Sequence, residues 1–221
     1  MPTNLYQIDS IIIGYDIILQ LLFAFITIFL SWYSYKIYKI TCQEQTKFLS
    51  LGFFLIGIAY TILSVFNFLI IEELLESISR IVHLKEIILL NTIGLYAHMS
   101  LMIAGLVALT FMTFKTKTIR SLILLLAISL IAIIFSKSPL ETFFLISSIL
   151  LAGIVYFFTK NCIKKRNRKT KTITLAFLFL LLGNLVLLLI SRSGIYYLIY
   201  NLFEAVAYLL ILYNLYLVRK R

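Results

Sequence analysis

Seven long apolar stretches dominate this sequence and limit what it can fold into. Each approaches or exceeds the roughly 17–25 residues that a helix needs to cross the hydrocarbon core of a bilayer. They cover about residues 10–34, 48–71, 88–114, 119–136, 142–159, 172–190 and 195–218. With 62% hydrophobic residues and a mean hydropathy of +1.04, a soluble domain of 221 residues could not bury the apolar surface. We therefore predict an all-α integral membrane protein in which residues 1–221 form one domain of seven transmembrane helices.

The basic residues alternate with the predicted loops. The chain has 20 Lys and Arg against nine Asp and Glu, a net charge of +11. The first, third and fifth loops and the C-terminal segment carry sixteen of these 20 basic residues, and the N-terminal segment and the other loops carry four. Because Lys and Arg in short loops stay on the cytoplasmic side, the split predicts an external N-terminus and a cytoplasmic C-terminus. We expect a multi-pass protein of a cell membrane.

The fifth loop, KNCIKKRNRKTK, is the densest basic cluster. Anionic lipid headgroups on the inner face attract such clusters at about 1 kcal/mol per basic residue. The sequence predicts headgroup contacts for Lys164, Lys165, Arg166, Arg168 and Lys169. No aromatic or glycine residues interrupt the cluster to suggest base stacking, so we expect no nucleic-acid partner. A protein partner in the membrane or the cytoplasm remains open.

Polar residues inside the apolar stretches are the candidates for function. An ionisable group within the membrane is costly unless it faces the bundle and finds a partner there. Eight polar or ionisable residues fall in the predicted outer half of the membrane or near its midplane. We take them as candidate ligand-binding residues: Asp16, Gln20, Asn67, His98, Asn184, Asn201, Glu204 and Tyr208. This distribution predicts a polar pocket that opens outward. The alternative for each Asn is a hydrogen bond that joins helices and contacts no ligand.

Glu204 and His98 lie about nine or ten residues inside their spans, near the floor of the predicted pocket. A single carboxyl group at that depth is either neutral or paired, and His98 is the candidate partner. The hypothesis of a Glu204–His98 pair requires the two side chains to face each other inside the bundle.

The third apolar stretch carries small residues on roughly one face. Small residues at helical spacing let neighbouring backbones approach closely. The residues concerned are Gly94, Ala97, Ala104, Gly105 and Ala108. We expect this helix to be central and closely packed.

The sequence contains no recognisable catalytic or metal-binding motif. Neither HExxH nor GxSxG occurs, and the last span has no Lys before Arg219 that could hold retinal. We therefore expect no catalytic residues, no metal and no cofactor. The leading hypothesis is a non-enzymatic receptor-like sensor or a subunit of a membrane complex.

Two other functions remain open. A small-molecule or ion transporter or channel would need a polar route to the inner side, lined by Thr27, Ser31 and other hydroxyls. A lipid-modifying enzyme would need two ionisable groups within reach of one reacting atom.

Two segments carry a resemblance to a known family. FLSLGFFLIGIAYTILS in the second span and LFEAVAYLLILYNLYLVRKR at the end resemble the seven-helix sensor modules of some microbial histidine kinases and related stand-alone membrane proteins. The resemblance implies a seven-helix bundle with an external N-terminus that senses a ligand or the state of the membrane. This sequence carries no kinase domain, and the resemblance assigns no binding residue.

Overall fold

A computed structural model describes residues 10–76, 84–114, 119–165, 168–189 and 194–219. Within these ranges every regular element is an α-helix. The seven helices are α1 (Ser10–Thr41), α2 (Glu44–Glu76), α3 (Leu84–Phe114), α4 (Ile119–Ile134), α5 (Pro139–Lys165), α6 (Arg168–Leu189) and α7 (Gly194–Arg219). The prediction of an all-helical fold is confirmed for the described part of the chain.

Six of the seven helices are long and apolar enough to cross a membrane. Their candidate spans are Tyr15–Thr41, Glu44–Ile70, Ile88–Phe114, Pro139–Lys164, Thr170–Leu188 and Tyr196–Leu217. The exception is α4, whose 16 residues extend over about 24 Å, less than a hydrocarbon core of about 30 Å. The fold is that of a multi-pass helical membrane protein, and the fourth predicted span is shorter than expected.

The direction of α5 shows what α4 does in the fold. Near its start α5 places the Phe143 ring 6.2 Å from the His98 ring of α3, and further along Gly153 packs against Phe114 at the end of α3. Contacts that advance in the same order along both helices mean that α3 and α5 run parallel. The chain must therefore return along the bundle between them, and α4 is the helix that returns.

Six helices form a closed ring. The neighbours run in the order α1, α2, α3, α5, α6 and α7, and α7 returns to α1. The α4 helix lies outside this ring against α3 and α5, and its only buried residues are Ser129 and Ile133. The interior of the ring therefore comes from the other six helices.

The α1–α2 hairpin is short and locally fixed. Cys42 adopts a positive φ of 53° at the end of α1, and its N–H donates to the Tyr38 carbonyl at 2.8 Å, as in a helix-ending turn. Farther into the bundle Ser31 Oγ donates to the Ser50 carbonyl at 2.8 Å, and Ser50 Oγ donates to the Ser31 carbonyl at 2.9 Å. These reciprocal bonds fix the register of the two helices.

Close backbone contact joins α2 to α3. A Cβ atom on Gly105 would lie 2.8 Å from the Gly52 carbonyl oxygen, and a Cβ atom on Gly52 would lie 3.0 Å from the Gly105 carbonyl oxygen. Among the six candidate spans, α3 has the largest share of buried residues, 61% of its apolar stretch. The prediction of a central, closely packed third helix is confirmed, because two glycines let the backbones meet.

Substituting Gly105 tests this contact. Gly105→Ala should lower the melting temperature in detergent, because the new methyl group collides with backbone and overpacking costs about 1–3 kcal/mol. Gly153→Ala is the control, since its Cβ would lie 3.4 Å from the Phe114 side chain, an ordinary contact. Equal melting temperatures for the two variants would contradict the close approach.

Candidate functional site

The Asp16 carboxyl group is the centre of a hydrogen-bonded group that we call the Asp16 cluster, formed by Asp16, Gln20, Asn67, Tyr197 and Asn201. Oδ2 of Asp16 accepts from Gln20 Nε2 at 2.6 Å and from the Tyr197 hydroxyl at 2.7 Å, and Oδ1 accepts from Asn201 Nδ2 at 3.3 Å. Asn67 Nδ2 donates to Gln20 Oε1 at 3.1 Å. The cluster therefore connects α1, α2 and α7.

Helical spacing explains why these side chains meet. Asp16 and Gln20 are four residues apart on α1, and Tyr197 and Asn201 are four residues apart on α7, so each pair occupies one face of its helix. Asp16 is 9% exposed, whereas Asn67 and Tyr197 are partly exposed. The cluster thus extends from the interior to the end of the bundle where α1 and α7 begin.

A second group, the Glu204 cluster, lies deeper and consists of Glu204, Tyr60 and Tyr208. The Tyr60 hydroxyl donates to Glu204 Oε1 and accepts from the Tyr208 hydroxyl at 3.1 Å. The Phe23 ring packs against both tyrosines, with centroid distances of 5.6 Å to Tyr60 and 4.9 Å to Tyr208. All four side chains are buried, so this carboxyl group is held by tyrosine hydroxyls inside an aromatic shell.

His98 is beside the Glu204 cluster but does not pair with Glu204. Its Nδ1 lies 3.1 Å from the Ala59 carbonyl oxygen, and its ring centroid lies 5.7 Å from that of Tyr60. Among the residues that the structure describes, Glu204 bonds to Tyr60 and forms no ion pair with His98. The hypothesis of a direct pair is wrong, because Tyr60 occupies the place of the expected partner.

A small cavity adjoins the Glu204 cluster. Its volume is about 20 Å³, which is room for about one water molecule. Polar groups on its wall come from Ser147, Asn184, Tyr200, Glu204 and Tyr208, and the rest of the wall is apolar. The Ser147 hydroxyl donates to Asn184 Oδ1 at 2.8 Å, and Asn184 Nδ2 donates to the Leu180 carbonyl at 2.9 Å. Asn184 therefore joins α5 to α6 beside the cavity.

The half of the ring away from the Asp16 cluster contains buried hydroxyls and the partly buried Asn214 of α7, whose Oδ1 is buried without a hydrogen-bond partner among the described residues. The Thr27 hydroxyl bonds to the Phe23 carbonyl at 2.7 Å, and that of Thr110 to the Leu106 carbonyl at 2.8 Å. Ser31 and Ser50 bond to each other's backbone. These hydroxyls satisfy backbone carbonyls and do not form a continuous polar path.

The structure brings the eight predicted residues into one half of the bundle, in three arrangements. Asp16, Gln20, Asn67 and Asn201 form one cluster, Glu204 and Tyr208 belong to the second, and His98 and Asn184 make separate contacts close to it.

Four residues of the site were not among the predicted candidates: Tyr60, Ser147, Tyr197 and Tyr200. The tyrosines could have been identified, because Tyr197 and Tyr200 precede Asn201 and Glu204 by four residues on one helix and Tyr60 lies on a polar stripe of α2 with Ser64 and Asn67. No signal separated Ser147 from its neighbour Ser148.

The predicted headgroup residues lie at the junction of α5 and α6. Lys164 and Arg168 are exposed at the ends of these helices. Arg166 lies outside the described residues, and for Lys165 and Lys169 only the backbone is described. The headgroup contacts stay a prediction.

Comparison with protein-family models, with curated proteins and with solved structures gives no match for this chain.

Removal of the Tyr60 hydroxyl tests the Glu204 cluster. Tyr60→Phe removes one tyrosine donor from the buried Glu204 carboxyl group and the acceptor of the Tyr208 hydroxyl, so we expect a loss of about 1–3 kcal/mol in unfolding free energy. Tyr213→Phe on the exposed side of α7 is the control and should change little. Thermal unfolding of both variants in one detergent measures the difference, and equal stability would contradict the proposed role of the hydroxyl.

Proposed function

We propose that this chain is a non-enzymatic, receptor-like sensor or a subunit of a membrane complex, located in a cell membrane. Its Asp16 cluster faces the outside, and its basic end contacts anionic lipid headgroups and a protein partner inside. One observation carries the proposal: the buried ionisable and amide residues lie in one half of the ring, and apolar side chains make up most of the other half. A polar cluster at one end of an otherwise apolar bundle suits recognition of a polar ligand at that end.

The largely apolar half of the ring argues against a transporter. A transported solute needs polar groups along its whole route, and Phe53, Ile103 and Ile154 fill the ring below the Glu204 cluster. The hydroxyls in that half bond to backbone carbonyls. The helices also lack the proline or glycine breaks that often form transporter binding sites, because the only internal proline, Pro139, starts α5.

The size of the cavity argues against a lipid-modifying enzyme. A volume of about 20 Å³ beside Glu204 admits a water molecule but no headgroup. Such an enzyme would also need a second ionisable group beside Glu204. The candidate for that role, His98, is separated from Glu204 by Tyr60.

The orientation is part of the proposal and rests on the charge distribution of the sequence. It agrees with what the resemblance to seven-helix sensor modules implies, and that resemblance remains a hypothesis. In this proposal the chain signals through a protein partner at its basic end.

A flux measurement tests the proposed class. Purified protein in liposomes should pass Na⁺, K⁺ and protons no faster than protein-free liposomes, because the apolar half of the ring blocks the route. A fluorescent dye inside the liposomes measures the ion flux, and an added ionophore confirms that the dye responds. Flux that requires the protein and disappears in Glu204→Gln would establish a transporter or channel and overturn the proposal.

Cysteine labelling tests the orientation. Cys42, exposed in the α1–α2 turn, should react with a membrane-impermeant maleimide only after the cytoplasmic side is opened. In a Cys42→Ser, Cys162→Ser background, Ser138→Cys in the α4–α5 turn should react in intact cells. Labelling of Cys42 from outside would reverse the proposed topology.

A further inference from the structure

An open groove separates α4 from α3 on the outside of the ring. Its volume is about 130 Å³, and its lining residues are Val107, Thr110, Phe111, Phe114, Ser121, Leu122 and Leu125. The first four lie on one face of α3 near its end, and the last three lie on α4 near its beginning. The groove is therefore at the end of the bundle opposite the Asp16 cluster.

Uneven packing of α4 forms the groove. Ser129 and Ile133 are buried in the second half of the helix, whereas the first half has no buried residue. The first half meets the core through the partly buried Leu122 and Leu126, so it is packed less deeply than the second half. The groove lies along this less buried half of α4.

The chemistry of the lining selects an apolar occupant. The Thr110 hydroxyl already bonds to the Leu106 carbonyl at 2.8 Å, and the remaining α3 wall is Val and Phe. Water would find too few polar partners here, because an ordered water needs about two to four of them. A further helix, about 10 Å wide with its side chains, is too bulky for a groove of about 130 Å³. A single flexible hydrocarbon chain fits both constraints.

The mouth of the groove favours negative charge. Arg120 is exposed in the first turn of α4, next to the lining residue Ser121. An anionic headgroup at this position would be held over its own acyl chain.

We propose that the α3–α4 groove binds one acyl chain of an anionic phospholipid, with the phosphate of the headgroup at Arg120. The lipid fills the space that α4 leaves open and completes the packing of this helix on the ring. The site is separate from both carboxyl clusters and does not depend on the function proposed above.

Native mass spectrometry of the purified full chain tests the site. We expect one phospholipid bound per chain after mild detergent extraction, enriched in anionic species relative to the source membrane. Leu125→Trp fills the groove and should lower the bound fraction by about fivefold or more. Leu124→Trp is the matched control, because Leu124 neighbours Leu125 but does not line the groove and is 62% exposed.

Further variants separate the tail from the headgroup. Arg120→Gln should keep the bound lipid and lose the preference for anionic over zwitterionic species when both are offered in nanodiscs. Leu122→Phe, a milder filling of the groove, replaces Leu125→Trp if the latter shifts the melting temperature strongly. Equal lipid retention in wild type and both groove-filling variants, equal loss in Leu124→Trp, or a dimer in place of a lipid adduct would overturn the proposal.

Discussion

Hydrocarbon offers no hydrogen bonds, and this constraint governs the whole architecture. The backbone meets it by forming helices throughout the described part of the chain. Polar side chains inside the membrane must form hydrogen bonds with one another or with the backbone. Asp16 does so with donors from α1 and α7, and Gln20 extends the connection to Asn67 on α2. The first and last helices of the ring are joined by this carboxyl group.

The energy of the two clusters is modest, although their geometry is specific. Five of the hydrogen bonds described above join different helices, and at an average of about 0.6 kcal/mol for such bonds in membranes their sum is roughly 3 kcal/mol. Apolar packing around Phe23, Tyr60 and Tyr208 therefore provides much of the cohesion. The hydrogen bonds mainly select which helices are neighbours and in what register, since a displaced helix would bury a carboxyl group without donors.

Much of this arrangement could be predicted from the sequence, because membrane helices have a strong signal. Apolar length located all seven helices, and the small residues of α3 indicated its central place. The residues of the Asp16 cluster could be named from their depth, but their partners could not, because depth does not say which helices are adjacent. Glu204 illustrates the limit. His98 was its expected partner, whereas the ring order places Tyr60 against the carboxyl group and directs His98 to the Ala59 carbonyl. The peripheral place of α4 was also unpredictable, since its composition is as apolar as that of the enclosed helices.

Closure of the ring through the first and last helices has a consequence for the order of synthesis. Tyr197 is made 181 residues after Asp16. At about 5–20 residues per second, its hydroxyl reaches the membrane roughly ten to forty seconds later. During that interval Asp16 has Gln20 and, through it, Asn67, but neither of its donors from α7. Until α7 is inserted, the Asp16 carboxyl group therefore lacks two of its three donors, and a chain truncated before α7 would keep this group incompletely satisfied in the bilayer.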